Sequence, residues 1–301
     1  MRLQALGGAA LAFLTLLTAS APPAPRSSML VSTAWLAQKL RDPNVVVLHI
    51  GSRESYAQHI PGARFVTLDD ISVSDHSGGN MLELPSPGEL RRRLAALGIS
   101  NSSRVVVTFE REWISPATRI LFTLGAAGLG DRAALLDGGM AAWLRERRPT
   151  TATAVPARTG TLGPLRMQPW TVDATFVRTA AGRPGFALID ARAPALFDGV
   201  QVGGSHGQPH KRGHIPGARN IPFTALADSN MRVRPAAELA AMFQRAGVKR
   251  GDTVIVYCHI GQQGTAIVFA ARSLGYRAVL YDGSFEDWSR RNLPAEARVR
   301  G

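Results

Sequence analysis

Short apolar runs alternate with helix-like patterns along most of the chain. Runs such as VVVLHI, RVVVTF, FALID and TVIVY are rich in β-branched residues and predict buried strands. Segments such as RILFTLGAAGLG and TAIVFAARSLGY carry apolar residues at helical spacing. Strands that alternate with helices in this way are typical of a parallel sheet covered by helices on both faces. The pattern therefore predicts an α/β fold.

The same pattern occurs twice. The stretch HIPGAR appears at 59–64 and again at 214–219, in each case after a predicted strand and its loop. Downstream, SSRVVVTFEREW parallels GDTVIVYCHIGQ, and ALLDGGMAAW parallels AVLYDGSFEDW. Because the matches keep their order and approximate spacing, we predict a duplicated domain, with copies at 29–148 and 170–298. Residues 149–169, PTTATAVPARTGTLGPLRMQP, are rich in Pro, Thr and Gly and are interpreted as the linker.

The first residues resemble an export signal. Arg2 supplies a positive charge, residues 5–17 form an apolar segment, and Ala19-Ser20-Ala21 gives a small-residue cleavage pattern. Such a run is shorter than the ~20 residues that a membrane span needs. We expect residues 1–21 to be a signal peptide and the mature chain to be exported, to the periplasm, without a membrane span. Pro22 disfavours cleavage directly after Ala21, so an uncleaved anchor stays open as an alternative.

The chain is basic, with a formal net charge of +13. The excess comes from arginine, because lysine occurs only at positions 39, 211 and 249. The arginines are scattered, and they form no basic stripe with interleaved aromatic platforms of the kind that binds nucleic acid. We therefore expect no nucleic-acid partner, and at most a general attraction for small anions.

The chain contains one cysteine, Cys258, at the end of a predicted strand. Six small or polar residues, HIGQQG, separate it from a helix that is predicted to begin near Thr265. An unpaired cysteine in an exported protein suggests a reactive or intermolecular thiol, with a small buried apolar residue as the alternative. Phe109 occupies the equivalent place in the first copy, so thiol chemistry is available only to the second copy. We expect the first copy to be a structural partner that walls the cleft.

The residues around Cys258 are those expected for an anion-binding turn. A helix directs its free N–H groups and its positive dipole end toward the preceding loop. Gly261 and Gly264 permit tight curvature with positive φ angles, so that successive N–H groups form a nest. Such surroundings are expected to lower the cysteine pKa from ~8.5 and to favour the nucleophilic thiolate. The carboxyl end of a strand is also where open parallel sheets place their sites.

Together, the tandem copies, the HIPGA turns, LIDAR, the cysteine loop and YDGSFEDW resemble the rhodanese-type sulfurtransferases over nearly the whole chain after the signal. The resemblance implies two tandem rhodanese-like domains, the second catalytic, with thiosulfate, mercaptopyruvate or a persulfide as the small sulfur donor and a thiol or cyanide as the acceptor. It implies that the nucleophile takes a sulfane sulfur as a persulfide and passes it on, without a metal or organic cofactor. The residues it assigns are Cys258 as nucleophile; His259, Ile260, Gly261, Gln262, Gln263, Gly264 and Thr265 as the persulfide-binding loop; and Asp190 and Arg192 as supporting residues.

Two of these assignments keep alternatives. The resemblance implies that Arg192 braces the active-site loop, whereas an ordinary surface ion pair with Asp190 is the other interpretation. His259 either assists the persulfide or is a merely exposed imidazole. The histidines of SHGQPHKRGH lack carboxylate or thiol partners in sequence, so we expect no metal site.

The sequence departs from the thiosulfate-using members at two places. Ile260 stands where they carry a basic residue, and Leu196 stands where they carry an arginine before the aromatic residue. The loop also differs from the Cys-Gly-Ser-Gly-Val pattern of mercaptopyruvate-type members. We therefore expect weak use of thiosulfate and a larger persulfide or polysulfide as donor.

Two other functional classes stay open on the sequence. A phosphatase or arsenate reductase also uses a cysteine at this place, but it needs an arginine where this chain has Gly264. A non-enzymatic sulfur carrier or partner-binding module is compatible with the same loop. The oligomeric state is not indicated by the sequence.

Overall fold

The computed structural model describes residues 26–110, 114–156, 158–205 and 207–298. Within these residues the chain forms two five-stranded parallel sheets and one short antiparallel hairpin. This confirms the α/β fold with two tandem domains. The predicted signal peptide lies outside the described residues. No helix among those described has the length and apolarity needed to cross a membrane.

The N-terminal sheet has the strand order β1-β5-β4-β2-β3. Its strands are β1 (Leu30–Val31), β2 (Val45–Ile50), β3 (Arg64–Phe65), β4 (Arg104–Phe109) and β5 (Ala133–Leu136). Its helices are α1 (Arg26–Met29), α2 (Thr33–Lys39), α3 (Arg53–Tyr56), α4 (Pro87–Ala96), α5 (Ile114–Ala126) and α6 (Gly139–Arg145), with a 3₁₀ turn at Gly130–Arg132.

The C-terminal sheet repeats this layout in the order β10-β7-β11-β12-β6. Its strands are β6 (Thr171–Val172), β7 (Phe186–Asp190), β10 (Arg219–Asn220), β11 (Thr253–Tyr257) and β12 (Arg277–Tyr281), and the hairpin is β8 (Gly204–Ser205) with β9 (Gln208–Pro209). Its helices are α7 (Ala174–Ala180), α8 (Pro194–Phe197), α9 (Ala236–Arg245), α10 (Gly264–Ser273) and α11 (Ser284–Arg290), with a 3₁₀ turn at Phe223–Leu226.

The repeated HIPGA histidines perform the same local task in both domains. His59 donates Nδ1–H to the carbonyl oxygen of Tyr56 at 2.6 Å, and His214 donates to that of Phe197 at 2.7 Å. Each imidazole ring also stacks on the aromatic ring of the residue whose backbone carbonyl it binds, with ring centroids 4.0 and 3.7 Å apart. The duplication therefore extends from the sequence to individual hydrogen bonds.

Helices α5 and α10 join the two domains. Every residue of both helices is buried, and this includes Arg119 of α5 and Arg272 of α10. They pack against each other, and one continuous hydrophobic cluster contains residues of both sheets. Helix α10 directly follows the cysteine loop, so this loop lies at the domain interface.

The segment predicted as the linker packs along the N-terminal domain. Leu162 is buried, and the backbone N–H of Gly160 donates to the carbonyl oxygen of Ala95 at 2.8 Å. His59 and Thr151 form an isolated antiparallel bridge. The domain limits 29–148 and 170–298 stay predictions, and the regular elements run from Arg26 to Arg145 and from Thr171 to Arg290.

Candidate active site

Cys258 lies directly after β11, the central strand of the C-terminal sheet. The neighbouring strands β7 and β12 end at Asp190 and Tyr281, so Asp190 and Asp282 lie at the same edge. The thiol has no solvent-exposed surface. The predicted position at the carboxyl edge of the sheet is therefore the position observed, and the thiol lies beneath the surface of the site.

The sulfur of Cys258 is surrounded by hydrogen-bond donors. The backbone N–H groups of Gly264, Ile260 and Gly261 face it and lower its pKa. The hydroxyl of Ser284 lies 4.0 Å from Sγ and acts in the same direction. The nest predicted from the sequence is thus present, and the hydroxyl of Ser284 lies beside it.

Burial nevertheless has the larger effect on this thiol. It raises the pKa of Cys258 above its usual value, although the N–H groups and Ser284 oppose the shift. The sequence-based expectation of a lowered pKa is therefore wrong. Removal from water disfavours the charged form, and the burial of a loop residue by a neighbouring domain is not visible in a local motif.

The two loop glycines have different roles. Gly261 has φ +81°, as predicted. Gly264 has no positive φ, contrary to the prediction, because it is the first residue of α10. A Cβ at Gly264 would lie 2.9 Å from Cδ1 of Leu280, so a side chain at this position would require Leu280 to shift. The phosphatase alternative requires an arginine at position 264, and this packing leaves no space for one without a shift of Leu280.

The other loop residues link the cysteine to the N-terminal domain. Gln262 donates from Nε2 to Oγ of Ser115 at 3.2 Å. Thr265 donates from Oγ1 to the carbonyl oxygen of Gln262 at 2.6 Å, and its Oγ1 lies 2.9 Å from that of Thr118. Ile260 and Gln263 are half-buried in the same loop.

Asp190 and Arg192 form a buried fork-shaped ion pair. Nη2 of Arg192 lies 2.6 Å from Oδ2 of Asp190, and Nε lies 3.0 and 3.1 Å from the two carboxylate oxygens. Their side chains are 1 % and 0 % exposed, so the alternative of a surface ion pair is wrong. Burial opposes the charge of Arg192, but Asp190 raises its pKa above the ordinary arginine value.

Arg192 also contacts two segments beside the cysteine loop. Its Nη2 donates to the carbonyl oxygen of Gly213 at 2.7 Å, and its guanidinium lies 3.9 Å from the centroid of the Phe285 ring. Gly213 precedes the second HIPGA turn, and Phe285 donates its N–H to the carbonyl oxygen of Cys258 at 3.0 Å. Arg192 therefore holds the segments at Gly213 and Phe285, which lie beside the cysteine loop. That Arg192 braces the cysteine loop itself stays a prediction.

His259 packs against His210, which follows the hairpin. Their Nδ1 atoms are 3.4 Å apart. Burial, followed by the charge of Arg192 and the neighbouring His210, lowers the pKa of His259 to about 4. The pKa of His210 is also lowered, mainly by burial. His259 is half-buried, so the alternative of a merely exposed imidazole is wrong.

Ser284, the first residue of α11, is a site residue that the sequence analysis did not identify. Ser284 accepts the N–H of Cys258 at 3.2 Å and donates to the carbonyl oxygen of Tyr281 at 2.9 Å. It does so at φ +52°, a backbone conformation that favours glycine. The equivalent residue of the first copy is Gly139, with φ +53°. The change from DGG to DGS between the copies was the available signal.

The architecture and the site define the class of protein. The model of the rhodanese-like domain matches residues 32–146 and 173–291, which are most of the chain. The chain therefore belongs to the family of proteins with rhodanese-like domains, as the resemblance implied.

The alignments with individual relatives cover most of this chain and most of each relative. The chain is 32 % identical to a probable 3-mercaptopyruvate sulfurtransferase of Pseudomonas aeruginosa, over 87 % of this chain and 95 % of that protein. It is 28 % identical to a putative thiosulfate sulfurtransferase of Synechococcus elongatus, over 88 % and 84 % respectively. The crystal structure of SseA from Escherichia coli superposes with a TM-score of 0.73 at 27 % identity, covering 85 % of this chain and 98 % of SseA.

Proposed function

We propose that this chain is a sulfurtransferase that carries a sulfane sulfur on Cys258. The observation that carries the proposal is the set of three backbone N–H groups directed at a lone cysteine sulfur at the carboxyl edge of the sheet. The names of the relatives support the same enzyme class. The Cys258 thiolate is the attacking group, and the nest holds the negative sulfur that results.

The reaction consists of two displacements at sulfur. In the first, the Cys258 thiolate attacks the outer sulfur of the donor, a new S–S bond forms, and the donor S–S bond breaks. The electron pair of the broken bond leaves with the remainder of the donor, as in thiol–disulfide exchange. In the second, an acceptor thiolate or cyanide attacks the outer sulfur of the persulfide, and the Cys258 thiolate leaves. Sulfur is transferred with no external oxidant or reductant.

The charge around the site supports a persulfide or polysulfide donor. At neutral pH, His259 is uncharged because its pKa is about 4, and Arg192 is neutralised by the fork with Asp190. Ile260 and Leu196 supply no charge where thiosulfate-using members carry cations. A compact dianion such as thiosulfate depends on charge-assisted hydrogen bonds near the reacting sulfur more than does a persulfide, which carries a single charge at that end. We therefore propose a persulfide such as that of glutathione, or a polysulfide, as the preferred donor.

Steady-state turnover tests the function and the donor together. We expect repeated thiocyanate release with cyanide as acceptor, and a kcat/KM for thiosulfate at least about tenfold below that for glutathione persulfide, because each missing charge-assisted bond costs ~1.5–3 kcal/mol. Ile260→Arg is the matched variant and is expected to raise kcat/KM for thiosulfate selectively. Release that stops after one equivalent indicates the carrier instead of the enzyme. Equal specificity constants for the two donors contradict the donor assignment alone.

We also propose that residues 1–21 direct export to the periplasm. The charged start, the apolar segment and the small-residue pattern of the sequence support this. We expect the full chain, expressed in a Gram-negative host, to appear in the periplasmic fraction with a shortened N-terminus, and a chain lacking residues 2–21 to stay in the cytoplasm. Fractionation with intact-mass measurement checks both. An unprocessed chain in the cytoplasm contradicts the assignment.

A further inference from the structure

One arginine of the cysteine-free domain reaches the cysteine loop. Arg119 extends from α5, and its side chain is 0 % exposed. Its Nη1 donates to the carbonyl oxygen of Gly261 at 3.0 Å and to Oδ1 of Asp282 at 2.6 Å. Its Nη2 donates to the carbonyl oxygen of Leu82. A single guanidinium therefore connects a loop of the first domain, the cysteine loop and the turn after β12.

The contact with Gly261 matters because this residue also faces the sulfur. Burial raises the pKa of Cys258, and the N–H of Gly261 is one of the groups that oppose this shift, while the carbonyl oxygen of Gly261 is bound by Arg119. Gly261 has φ +81°, and a Cβ there would lie 2.7 Å from the carbonyl oxygen of Asp282 and 3.1 Å from Nη1 of Arg119. The carbonyl oxygen of Gly261 lies in the peptide plane shared with Gln262, and its N–H lies in the plane shared with Ile260. Arg119 therefore anchors one of the two peptide planes that meet at Gly261 and removes part of the backbone freedom that a glycine has there.

The ion pair with Asp282 keeps the guanidinium in place. Asp282 also accepts the N–H of Leu84 at 3.3 Å through Oδ2. Because the aspartate compensates its charge, the arginine acts on the loop mainly through geometry and adds little net charge to the sulfur. An uncompensated charge at this depth would be costly.

The corresponding aspartate of the first domain has a looser arrangement. Asp137 accepts the N–H of Val233 at 2.9 Å, which parallels the bond from Leu84 to Asp282. Its arginine partner, Arg232, lies 3.5 Å away with a side chain 42 % exposed. On the side that contains the cysteine, the arginine is fully enclosed and makes three hydrogen bonds. The backbone N–H bond to the aspartate is thus repeated in both domains, whereas the arginine that pairs with the aspartate is buried at Asp282 and exposed at Asp137.

We propose that Arg119 is a positioning residue for sulfur transfer: the cysteine-free domain uses it to hold the Gly261 carbonyl, so that the loop N–H groups stay directed at the Cys258 sulfur. The inference rests on the proposed function, because it assigns the loop a role in holding a sulfur anion. It gives the first domain a part in the reaction that its lack of a nucleophile conceals.

Alkylation of Cys258 by iodoacetamide across pH, together with single-turnover sulfur loading from glutathione persulfide, tests the proposal in the full chain. In Arg119→Met we expect the thiol pKa to rise and both rates at pH 7 to fall about tenfold, the effect of losing one charge-assisted hydrogen bond. The loss should appear in kcat with little change in KM. Arg119→Lys, which keeps the charge with fewer donors, should show a smaller loss of the same kind.

Arg272 supplies the matched control. It is a buried arginine on α10, it donates to the carbonyl oxygen of Ala278 at 2.8 Å, and it lies 3.4 Å from the Trp170 ring centroid. Arg272→Met removes a comparable guanidinium from the same interface but leaves the cysteine loop untouched. We expect its thiol pKa and loading rate per folded molecule to equal those of the wild type.

The outcomes separate this inference from the proposed function. An unchanged thiol pKa and loading rate in Arg119→Met overturn the inference, as does an equal loss in Arg272→Met, which would show general damage to the interface. If Arg119→Met does not fold, Arg119→Lys decides, and wild-type values in that variant also overturn it. A wild-type chain that loads no sulfur contradicts the proposed function, whereas the alkylation profiles still decide the role of Arg119.

Discussion

Cys258→Ala is expected to abolish sulfur loading and to reduce thiocyanate release by at least about a thousandfold, because the reaction loses its only candidate nucleophile. Intact-mass measurement after incubation with glutathione persulfide should show one added sulfur on the wild type and none on the variant. The side chain is small, so folding should be retained at a cost of roughly 1–2 kcal/mol for the atoms removed from the core.

The pH dependence of the wild type gives a second readout of the same residue. Burial raises the pKa of Cys258, so the thiolate fraction, and with it the loading rate, should still be increasing at a pH where an ordinary cysteine has already ionised. Cys258→Ser is the control for shape, and it should fold while failing to load sulfur. Sulfur loading on Cys258→Ala, or a thiol that no donor modifies, would remove the mechanism.

Asp190→Asn is expected to lower the free energy of unfolding by about 3–5 kcal/mol, because it leaves the enclosed guanidinium of Arg192 without its counter-ion. For a chain of this length, a change of this size corresponds to a Tm decrease of roughly 5–15 °C. Thermal unfolding followed by circular dichroism measures it. Sulfur loading should fall as well, since Arg192 contacts Gly213 and Phe285 beside the cysteine loop.

An exposed ion pair provides the control for this change. Arg234 and Glu238 are 3.1 Å apart on the surface, with side chains 38 % and 54 % exposed. Glu238→Gln removes one charge just as Asp190→Asn does, but it should cost no more than ~1 kcal/mol. If Asp190→Asn is no more destabilising than Glu238→Gln, the buried fork is not a support of the site. Should Asp190→Asn fail to fold, Arg192→Lys, which keeps the charge but not the fork, is compared in the same way.

The sequence contained enough information for the architecture and for the position of the thiol. The two HIPGAR copies predicted the duplication, and the structure repeats it down to the hydrogen bonds of His59 and His214. The φ angle of Gly261 was also predictable, because a glycine in a tight anion-binding turn has a specific conformational reason to be there. These features depend on local chain geometry, which a linear pattern records.

Features that depend on long-range packing were not predicted correctly. The raised pKa of Cys258 follows from how completely the rest of the molecule encloses the loop. Arg119 is distant in sequence from Gly261, and an arginine in an apolar helix gave no sign that it crosses the domain boundary. The sequence was sufficient to predict the nest and the positive φ angle of Gly261, but not the burial of the nest or the contact of Arg119 with it.

The burial of α5 and α10 on all sides has a consequence for the chain as a whole. Each helix finds part of its apolar surroundings in the other half, so separation of the halves would expose both to water. The half with Phe109 in place of a cysteine therefore cannot be discarded, even though it holds no sulfur itself. We therefore expect the tandem pair to be the smallest unit that folds and transfers sulfur, with the cysteine-free copy as a permanent part of it.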